Sequence, residues 1–280
     1  MNMNFSSYDM KNQQQIILIT GASSGLGKIS AQMLAKRGHI VYGTSRKQTE
    51  NQGDVRMLTV DVTDKSSIEQ AVNHIYSEHG RIDVLINNAG MGIGGALELA
   101  TPEEISQQMD TNFMGVVKMC NAVLPYMRKA RQGKIINLSS IAGVMAVPYQ
   151  GFYSASKFAI EGYSEALALE TYPFHIKICL VEPGDFATGF TASRKISADT
   201  LNSSDYGSSF ARTLAIIEEA ENQGSDPILL GASICRIVEK KNPPFRTLVG
   251  PWGQVLFARF KGFLPAKLIQ FVLRDFYKIK

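Results

Sequence analysis

A tyrosine and a lysine four residues apart are the side chains in this sequence best suited to proton transfer. Tyr153 and Lys157 lie in a stretch with helical character, where residues four apart share one face of the helix. A nearby ammonium group stabilises a phenolate and so lowers the pKa of a tyrosine toward neutrality, as a general acid or base requires. Ser140 follows a predicted strand, whose end can place the hydroxyl beside the tyrosine. Taken alone, the Tyr–Lys spacing would be interpreted as a solvated helix pair.

Two glycine-containing turns indicate a ligand site, and the first of them is suited to binding phosphate. The first joins a predicted strand to a predicted helix and consists of Thr20, Gly21, Ala22, Ser23, Ser24, Gly25, Leu26 and Gly27. Glycine permits a tight turn, and a helix N-terminus offers free N–H groups and the positive end of its dipole. The second turn follows the fourth predicted strand and consists of Asn87, Asn88, Ala89 and Gly90. Either turn alone could be purely structural, but the two at one edge of a sheet favour a ligand site.

Short apolar runs alternate with helical stretches along most of the chain. The predicted strands are Ile16 to Thr20, Ile40 to Thr44, Met57 to Val60, Val84 to Asn87, Ile135 to Leu138 and Ile176 to Val181. The predicted helices are Leu26 to Arg37, Ile68 to Tyr76, two stretches between Glu103 and Met127, and Tyr153 to Glu170. This alternation predicts an α/β fold, a Rossmann-type doubly wound parallel sheet in a single domain. Such sheets bind ligands beyond the carboxyl ends of their strands.

Composition divides the chain into three parts. Residues 1–15 form a polar leader, 16–244 the Rossmann-type domain, and 245–280 an apolar and basic C-terminal extension. Within the domain, residues 185–227 are rich in Ser, Thr and Asp, and we predict a mobile substrate loop with some helix there.

Charge, cysteine content and hydropathy exclude several classes of protein. The formal net charge of +4 on 280 residues is too small for nucleic-acid binding across the whole surface. Cys120, Cys179 and Cys235 are far apart and form no metal-ligand spacing, so we expect reduced thiols, no metal and a cytoplasmic location. The leader has no apolar signal region, and no apolar run approaches the roughly 20 residues of a membrane-spanning helix. We expect a soluble or at most peripheral protein.

The motifs together resemble the short-chain dehydrogenase/reductase family. The resemblance runs from about Ile16 to about Lys240, with no departure at any catalytic position. It is carried by the TGxxxGxG turn at Thr20, Asp61 and Val62 after the third strand, the NNAG turn, Asn112, Ser140, Tyr153, Lys157, Pro183, Gly184 and Thr188. The turn from Gly90 to Glu98 is similar to that of a subgroup comprising lipid-ketone, retinoid and 17β-hydroxysteroid reductases. Subgroup likeness does not fix the substrate.

The resemblance implies a role for each of these residues in interconverting a ketone and a secondary alcohol. Tyr153 would exchange a proton with the reacting oxygen, and Ser140 would donate a hydrogen bond to the same oxygen. Lys157 would lower the pKa of Tyr153 and bind the nicotinamide ribose, and Asn112 would hold a water in the proton relay. Pro183, Gly184 and Thr188 would hold the carboxamide of the nicotinamide. The family also implies a homo-oligomer, either a dimer or a tetramer.

The end of the second strand favours NADP(H) over NAD(H). An acidic residue there would bind the free 2′-hydroxyl of the adenosine ribose and repel a 2′-phosphate. This sequence instead has Ser45, Arg46 and Lys47, and a guanidinium can pair with a phosphate. Two exposed basic residues in a loop are the simpler alternative. Because cells generally keep the NADP pool reduced, we favour the direction of ketone reduction.

Apolar residues dominate the positions expected to flank the substrate, and they favour a lipophilic carbonyl compound over a sugar. They are Met91, Gly92, Ile93, Val144, Met145, Ala146, Val147, Tyr149, Phe186 and Phe190. In residues 245–280, apolar side chains are mixed with Arg259, Lys261, Lys267, Arg274, Lys278 and Lys280. This segment could make peripheral contact with a membrane surface, or form a helix pair that packs on the domain and closes the substrate pocket.

Two other functions are compatible with the sequence. One is an NAD(P)-dependent dehydrogenase of a small polar alcohol or sugar, which the turnover of small polar against long-chain ketones would distinguish. The other is a non-catalytic regulator that binds the dinucleotide, for which we would expect lesions at the tyrosine, lysine or serine. The sequence contains Tyr153, Lys157 and Ser140 intact.

Overall fold

Seven parallel strands form the central sheet of the computed structural model, which describes residues 14–279. The strands are β1 (Ile16–Ile19), β2 (Ile40–Ser45), β3 (Val55–Thr59), β4 (Val84–Asn87), β5 (Gly133–Leu138), β6 (Ile176–Pro183) and β7 (Arg246–Val249). A separate pair of two-residue strands joins Ile93–Gly94 to Lys195–Ile196. Residues 1–13 of the predicted polar leader lie outside the described residues.

The strand order is β3-β2-β1-β4-β5-β6-β7, so the chain leaves β1 toward one edge and then returns to build toward the other. Leu18 of β1 lies between Tyr42 of β2 and Leu85 of β4. The direction of winding reverses between β1 and β4, and a crevice opens there at the carboxyl ends of the strands. The prediction of a Rossmann-type, doubly wound parallel sheet is confirmed.

Helices cover both faces of the sheet. They are α1 (Gly25–Lys36), α2 (Lys65–His79), α3 (Pro102–Met109), α4 (Gly115–Ala130), α5 (Gly151–Thr171), α6 (Phe190–Ser193), α7 (Ala198–Asn202), α8 (Gly207–Asn222), α9 (Pro227–Glu239), α10 (Trp252–Phe260) and α11 (Ala266–Phe276). One buried layer packs α2, α4 and α5 on the sheet, and the other packs α1 and α9. Strands with apolar side chains on both faces require this double cover, which explains their continuous hydrophobic runs.

The last strand was not anticipated from the sequence. β7 pairs in parallel with β6, from Leu180 opposite Arg246 to Pro183 opposite Val249, and so extends the sheet into the segment that composition separated as an extension. It has only four residues and begins with an arginine, so it carries no apolar run of the kind that marks the inner strands. The arginine is paired within the sheet region: its guanidinium donates to Glu161 at 2.6 Å and to Glu182 at 3.2 Å.

Residues 185–227 contain more regular structure than the predicted mobile loop. They include α6, α7 and the 16 residues of α8, which buries Phe210, Thr213 and Ile217 along one face. The spacing of these three residues, three and four apart, is a helical signal. The Ser- and Thr-rich flanks of α8 obscured that signal in the sequence.

The C-terminal residues form a helix pair that packs on the domain. Tyr277, just after α11, is buried, and its carbonyl oxygen accepts a hydrogen bond from the Thr213 hydroxyl at 3.2 Å. Lys261, between α10 and α11, donates to the carbonyl oxygen of Val144. Across residues 14–279, none of the helices is both long and apolar enough to span a membrane.

Candidate active site

The glycine-rich turn between β1 and α1 is held in a conformation that side chains would disturb. Gly21 has a φ of +66°, in the left-handed region, and a Cβ there would lie 2.9 Å from the Cα of Ala89. A Cβ on Gly27 would lie 2.4 Å from the carbonyl oxygen of Gly21. The two glycines therefore allow the turn to pack tightly against the NNAG turn, which follows β4 on the other side of β1.

The second turn is bonded directly to the first. The Asn88 side-chain amide donates to the carbonyl oxygens of Thr20 at 2.8 Å and of Gly21 at 3.0 Å. The Thr20 hydroxyl accepts from the backbone N–H groups of Asn88 at 3.0 Å and of Ala89 at 2.9 Å. The NNAG turn therefore supports the glycine-rich turn, and both lie on one side of a large cavity.

The N-terminus of α1 has the properties of a phosphate site. Its N-cap residue is Ser24, whose side chain makes no capping hydrogen bond to any residue from 14 to 279. None of the described residues in the first turn of α1 is acidic, and Gly25, with a φ of +55°, has open space where a Cβ would be. Free N–H groups at the positive end of a helix dipole, with room for a ligand above a glycine, fit the diphosphate of a dinucleotide.

Basic residues lie where the adenosine ribose would be bound. Ser45 and Arg46, at the end of β2, line the same cavity together with Lys47. Arg46 is close enough to Asp61 to help lower the pKa of that carboxyl, which also accepts hydrogen bonds from the backbone and hydroxyl of Thr63. Val62 is on the cavity wall, whereas Asp61 is not.

The proposed catalytic side chains converge on the cavity from two elements. Tyr153 and Lys157 come from α5, and Ser140 comes from the loop after β5. The Lys157 ammonium lies 5.7 Å from the centroid of the Tyr153 ring and donates to the carbonyl oxygen of Leu138 at 2.8 Å. The Ser140 hydroxyl donates to the carbonyl oxygen of Pro183 at 3.4 Å. The spacing of Tyr153 and Lys157 therefore does place both on one face of a helix that borders the cavity.

Burial dominates the ionisation of this pair. It raises the pKa of Tyr153 to about 12, although the neighbouring Ser140 hydroxyl acts in the opposite direction. It lowers the pKa of Lys157 to about 8. Desolvation disfavours the charged form of each group, so the lowered tyrosine pKa that the spacing predicted is not seen.

Asn112 lies behind the cavity wall. It belongs to a π-helical turn, Asp110–Met114, between α3 and α4. Its amide donates to the Met91 carbonyl at 3.0 Å and to the Ser156 hydroxyl at 3.1 Å, and its side-chain oxygen accepts from the Met91 N–H at 2.9 Å. The Ser156 hydroxyl donates to the carbonyl of Tyr153 at 2.7 Å. Asn112 therefore links the helix that carries Tyr153 to the loop after β4.

The segment after β6 contributes Pro183 and Gly184 to the cavity wall. The Gly184 N–H donates to the carbonyl oxygen of Val249 at 2.8 Å, so β7 helps to fix this turn. Thr188 is not on the wall, and its hydroxyl accepts from the backbone N–H of Phe190 at 3.2 Å.

All these groups open into one cavity of about 1170 Å³. It contains the predicted cofactor residues Gly21, Ser23, Ser24, Gly25, Leu26, Gly27, Ser45, Arg46, Val62, Asn88, Ala89, Gly90, Tyr153, Lys157, Pro183 and Gly184. Of the predicted substrate residues, it contains Met91, Met145, Val147, Phe186 and Phe190. The other five, Gly92, Ile93, Val144, Ala146 and Tyr149, are not on its wall.

Several residues of the cavity wall were not individually predicted from the sequence. They are Asp185, Ile217, Ala220, Glu221, Gln254, Phe257, Val272, Leu273, Phe276 and Tyr277. Those on α8 and α11 follow helical spacing, which predicts a shared face but not which cavity that face borders. The helix pair of the C-terminal extension thus forms part of the cavity wall.

The known proteins to which this chain is similar are dehydrogenases and reductases. The sequence model of the family described as short chain dehydrogenase matches residues 15–198. A 3-ketodihydrosphingosine reductase of Bacteroides thetaiotaomicron is 70% identical over 268 residues, covering 96% of this chain and 100% of the relative. An NADPH-dependent 3-dehydrocapnine reductase of Ornithobacterium rhinotracheale is 29% identical over 274 residues, covering 93% and 95% of the two chains.

A solved structure extends the similarity to three dimensions. The crystal structure of a short-chain dehydrogenase from Streptomyces avermitilis has a TM-score of 0.80 and 30% identity, covering 95% of this chain and 98% of that one. The resemblance seen in the motifs is therefore confirmed. This chain is an oxidoreductase that belongs to the short-chain dehydrogenase family.

Proposed function

We propose that the protein is an NADP(H)-dependent reductase of a lipophilic ketone, and that its substrate is a long-chain 3-keto lipid such as 3-ketodihydrosphingosine. The observation that carries the proposal is the single cavity in which the hydroxyls of Tyr153 and Ser140 lie between a phosphate-binding turn and an apolar wall. An apolar wall suits a lipid chain better than a sugar. The relative that is 70% identical is a reductase of such a lipid by its name, which supports this choice.

The residues of the cavity fit NADP(H). The N-terminus of α1 would hold the diphosphate, and Arg46 with Ser45 would bind the 2′-phosphate. Asn88, Ala89 and Gly90 would border the cofactor beside the first turn, with Val62 nearby. The name of the 3-dehydrocapnine reductase specifies NADPH, which also favours this cofactor. When bound, NADPH would supply the hydride for the reduction.

The side chains of the protein would then supply the proton and stabilise the negative charge that develops on the ketone oxygen. Tyr153 would donate its proton to the ketone oxygen, and Ser140 would donate a hydrogen bond to the same atom. Lys157, whose ammonium adjoins the Tyr153 ring, would stabilise the phenolate that remains and bind the nicotinamide ribose. Pro183 and Gly184, which are on the cavity wall, would border the carboxamide. Asn112, which is oriented by its contacts with Met91 and Ser156, would hold a water in the proton relay.

The direct test is reduction of 3-ketodihydrosphingosine by the full-length protein, followed by loss of NADPH absorbance. We expect turnover with NADPH, and at least about tenfold lower kcat/KM for a short polar ketone, because each buried CH₂ contributes about 0.8 kcal/mol. Preferential oxidation of a small polar alcohol would favour the dehydrogenase alternative. Cofactor binding without turnover of any ketone would favour the regulator.

We also propose that the C-terminal helix pair contacts an anionic membrane surface. Trp252, Phe263 and Phe271 are 81%, 84% and 70% exposed, and basic side chains flank them. An exposed apolar surface with cationic flanks is typical of helices that lie in a membrane interface. The same helices line the cavity, so the two interpretations of this segment are compatible: it closes the pocket and presents its outer face to lipid.

Removal of the two exposed phenylalanines tests this contact without disturbing β7. The double variant Phe263→Ser, Phe271→Ser should reduce co-sedimentation with anionic liposomes at least about threefold. Each substitution removes an apolar side chain that the membrane interface would bury. Leu229→Ser, at an exposed leucine on α9, is the matched control. Equal pelleting of wild-type and double variant would contradict membrane contact through this face.

Oligomeric state and location stay predictions. Phe158, Leu169 and Tyr172 leave apolar surface exposed along and after α5, which is consistent with a homo-oligomer. The three cysteines are free and buried, which supports the predicted cytoplasmic location.

A further inference from the structure

Two carboxylates interrupt the apolar side of the cavity. Asp185 follows the Pro183–Gly184 turn, and Glu221 lies in the last turn of α8. Both are on the wall of the cavity that contains Tyr153, Ser140 and Phe190. Neither has a part in the transfer of hydride or proton described above.

The charges around these carboxylates do not balance. Glu221 accepts hydrogen bonds from the Thr191 hydroxyl at 2.6 Å and from the Arg194 guanidinium. Asp185 accepts from the side-chain amide of Gln254, a neutral group. Arg194 is the cation that acts on the pKa of both carboxylates, whereas Lys195, on the same wall, donates to the Gln107 side-chain oxygen at 2.7 Å. Two carboxylates and one guanidinium therefore leave a local charge of −1 in a largely apolar region, where an uncompensated charge is costly.

Arg194 points independently to a missing partner. Its side chain is 1% exposed, yet Nε and Nη1 have no hydrogen-bond partner among residues 14–279. Buried donors are nearly always satisfied, so two unsatisfied N–H groups on one guanidinium call for an acceptor. Arg194 is not on the cavity wall itself, but its chain neighbours Ser193 and Lys195 are.

A chain of ring contacts connects the acidic pair, Asp185 and Glu221, to Tyr153. The Phe190 ring is 5.8 Å from the Tyr153 ring and also 5.8 Å from the guanidinium carbon of Arg194. The fields of Asp185 and Glu221 both reach Tyr153 and Tyr277, where they raise the tyrosine pKa. A ligand that fills this cavity would therefore lie in the field of both carboxylates.

We propose that Asp185 and Glu221 bind the protonated amine of a substrate that carries an amino group on the carbon next to its ketone. The inference rests on the proposed function and narrows its substrate class to long-chain α-amino ketones. A primary ammonium would neutralise the net charge of −1, and three N–H donors suit two carboxylates. Anchoring the ammonium there fixes the adjacent carbonyl at Tyr153 and Ser140.

Burial also makes this recognition selective. It raises the pKa of Asp185 and of Glu221, so both carboxylates gain from a cationic ligand that favours their charged forms. A plain ketone would leave the charge unpaired. The site would then discriminate against a substrate lacking the amine more strongly than an apolar pocket discriminates between chain lengths.

The experiment compares two ketones of equal chain length, 3-ketodihydrosphingosine and an analogue with hydrogen in place of the amine. We expect Asp185→Asn and Glu221→Gln each to lower kcat/KM for the amino ketone about 10- to 100-fold, mainly through KM, because each weakens a charge-assisted contact. Neither should lower kcat/KM for the amine-free ketone. Glu219→Gln, at an exposed glutamate on the same helix, is the matched control and should leave both values unchanged. NADPH binding by each variant reports whether the dinucleotide site is intact.

The outcomes separate the inference from the proposed function. Equal losses on both ketones, or no loss on either, would overturn the recognition of the amine while leaving ketone reduction in place. If a variant fails to bind NADPH, the wild-type protein still decides: N-acetylation of the substrate removes its charge and should cost at least about tenfold in kcat/KM. No turnover of either ketone by the wild-type protein would instead contradict the proposed function.

Discussion

Tyr153→Phe is expected to lower kcat for ketone reduction about 10²- to 10⁴-fold, the range of a lost general acid. The substitution removes one hydroxyl and keeps the ring that packs 5.8 Å from Phe190, so binding of NADPH should be unchanged. Single-turnover kinetics with NADPH and the keto lipid would measure the loss. Tyr126→Phe, which removes a hydroxyl that donates to Asn73 on the far side of the domain, is the matched control.

The physical reason is the high cost of ionising the buried tyrosine. With a pKa of about 12, Tyr153 is protonated at neutral pH and can therefore donate its proton to a base. In the proposed reduction, the ketone oxygen would become that base only as it gains negative charge, so the proton would be needed at the transition state. If Tyr153→Phe kept more than about a tenth of the wild-type kcat, the acid would have to be another group.

Arg46→Ala is expected to weaken NADPH binding about 10- to 100-fold and to leave NADH binding nearly unchanged, since a guanidinium–phosphate contact contributes about 1.5–3 kcal/mol. The two cofactors differ only in the 2′-phosphate, so their ratio isolates this contact. Titration followed by cofactor fluorescence would measure both affinities. Arg128→Ala, at an exposed arginine on α4, controls for the loss of surface charge.

Equal effects of Arg46→Ala on NADPH and NADH would show that the arginine acts on a part common to both cofactors. Tighter binding of NADH by the wild-type protein would overturn the cofactor assignment. In that case alcohol oxidation would become the first activity to examine.

The sequence was informative wherever a residue type has a single strong physical reason for its position. The inner strands are continuous apolar runs because both faces of the sheet are covered, so β1, β4, β5 and β6 could be located from these runs. The glycines at positions 21 and 27 have no room for a Cβ, which is why that turn was recognisable. The spacing of Tyr153 and Lys157 determined a shared helix face.

Features that depend on distant parts of the chain could not be predicted. β7 is held by pairing with β6 and by carboxylates on α5, so its four residues carry little local signal. Asp185 and Glu221 are 36 positions apart and become neighbours on one cavity only through the packing of α8. The π-helical turn that orients Asn112 likewise has no local marker. The pKa of Tyr153 was misjudged because spacing predicts a charge pair but not its desolvation.

Opposite sides of the cavity come from parts of the sequence that are far apart. The glycine-rich turn, the end of β2 and Tyr153 all precede the residues Phe257, Val272, Leu273, Phe276 and Tyr277, which close the other side. Because a domain generally folds as a unit, neither side of the cavity is expected to form without the other during synthesis. The glycine-rich turn and the apolar wall are therefore expected to mature together, once the residues up to Tyr277 have been translated.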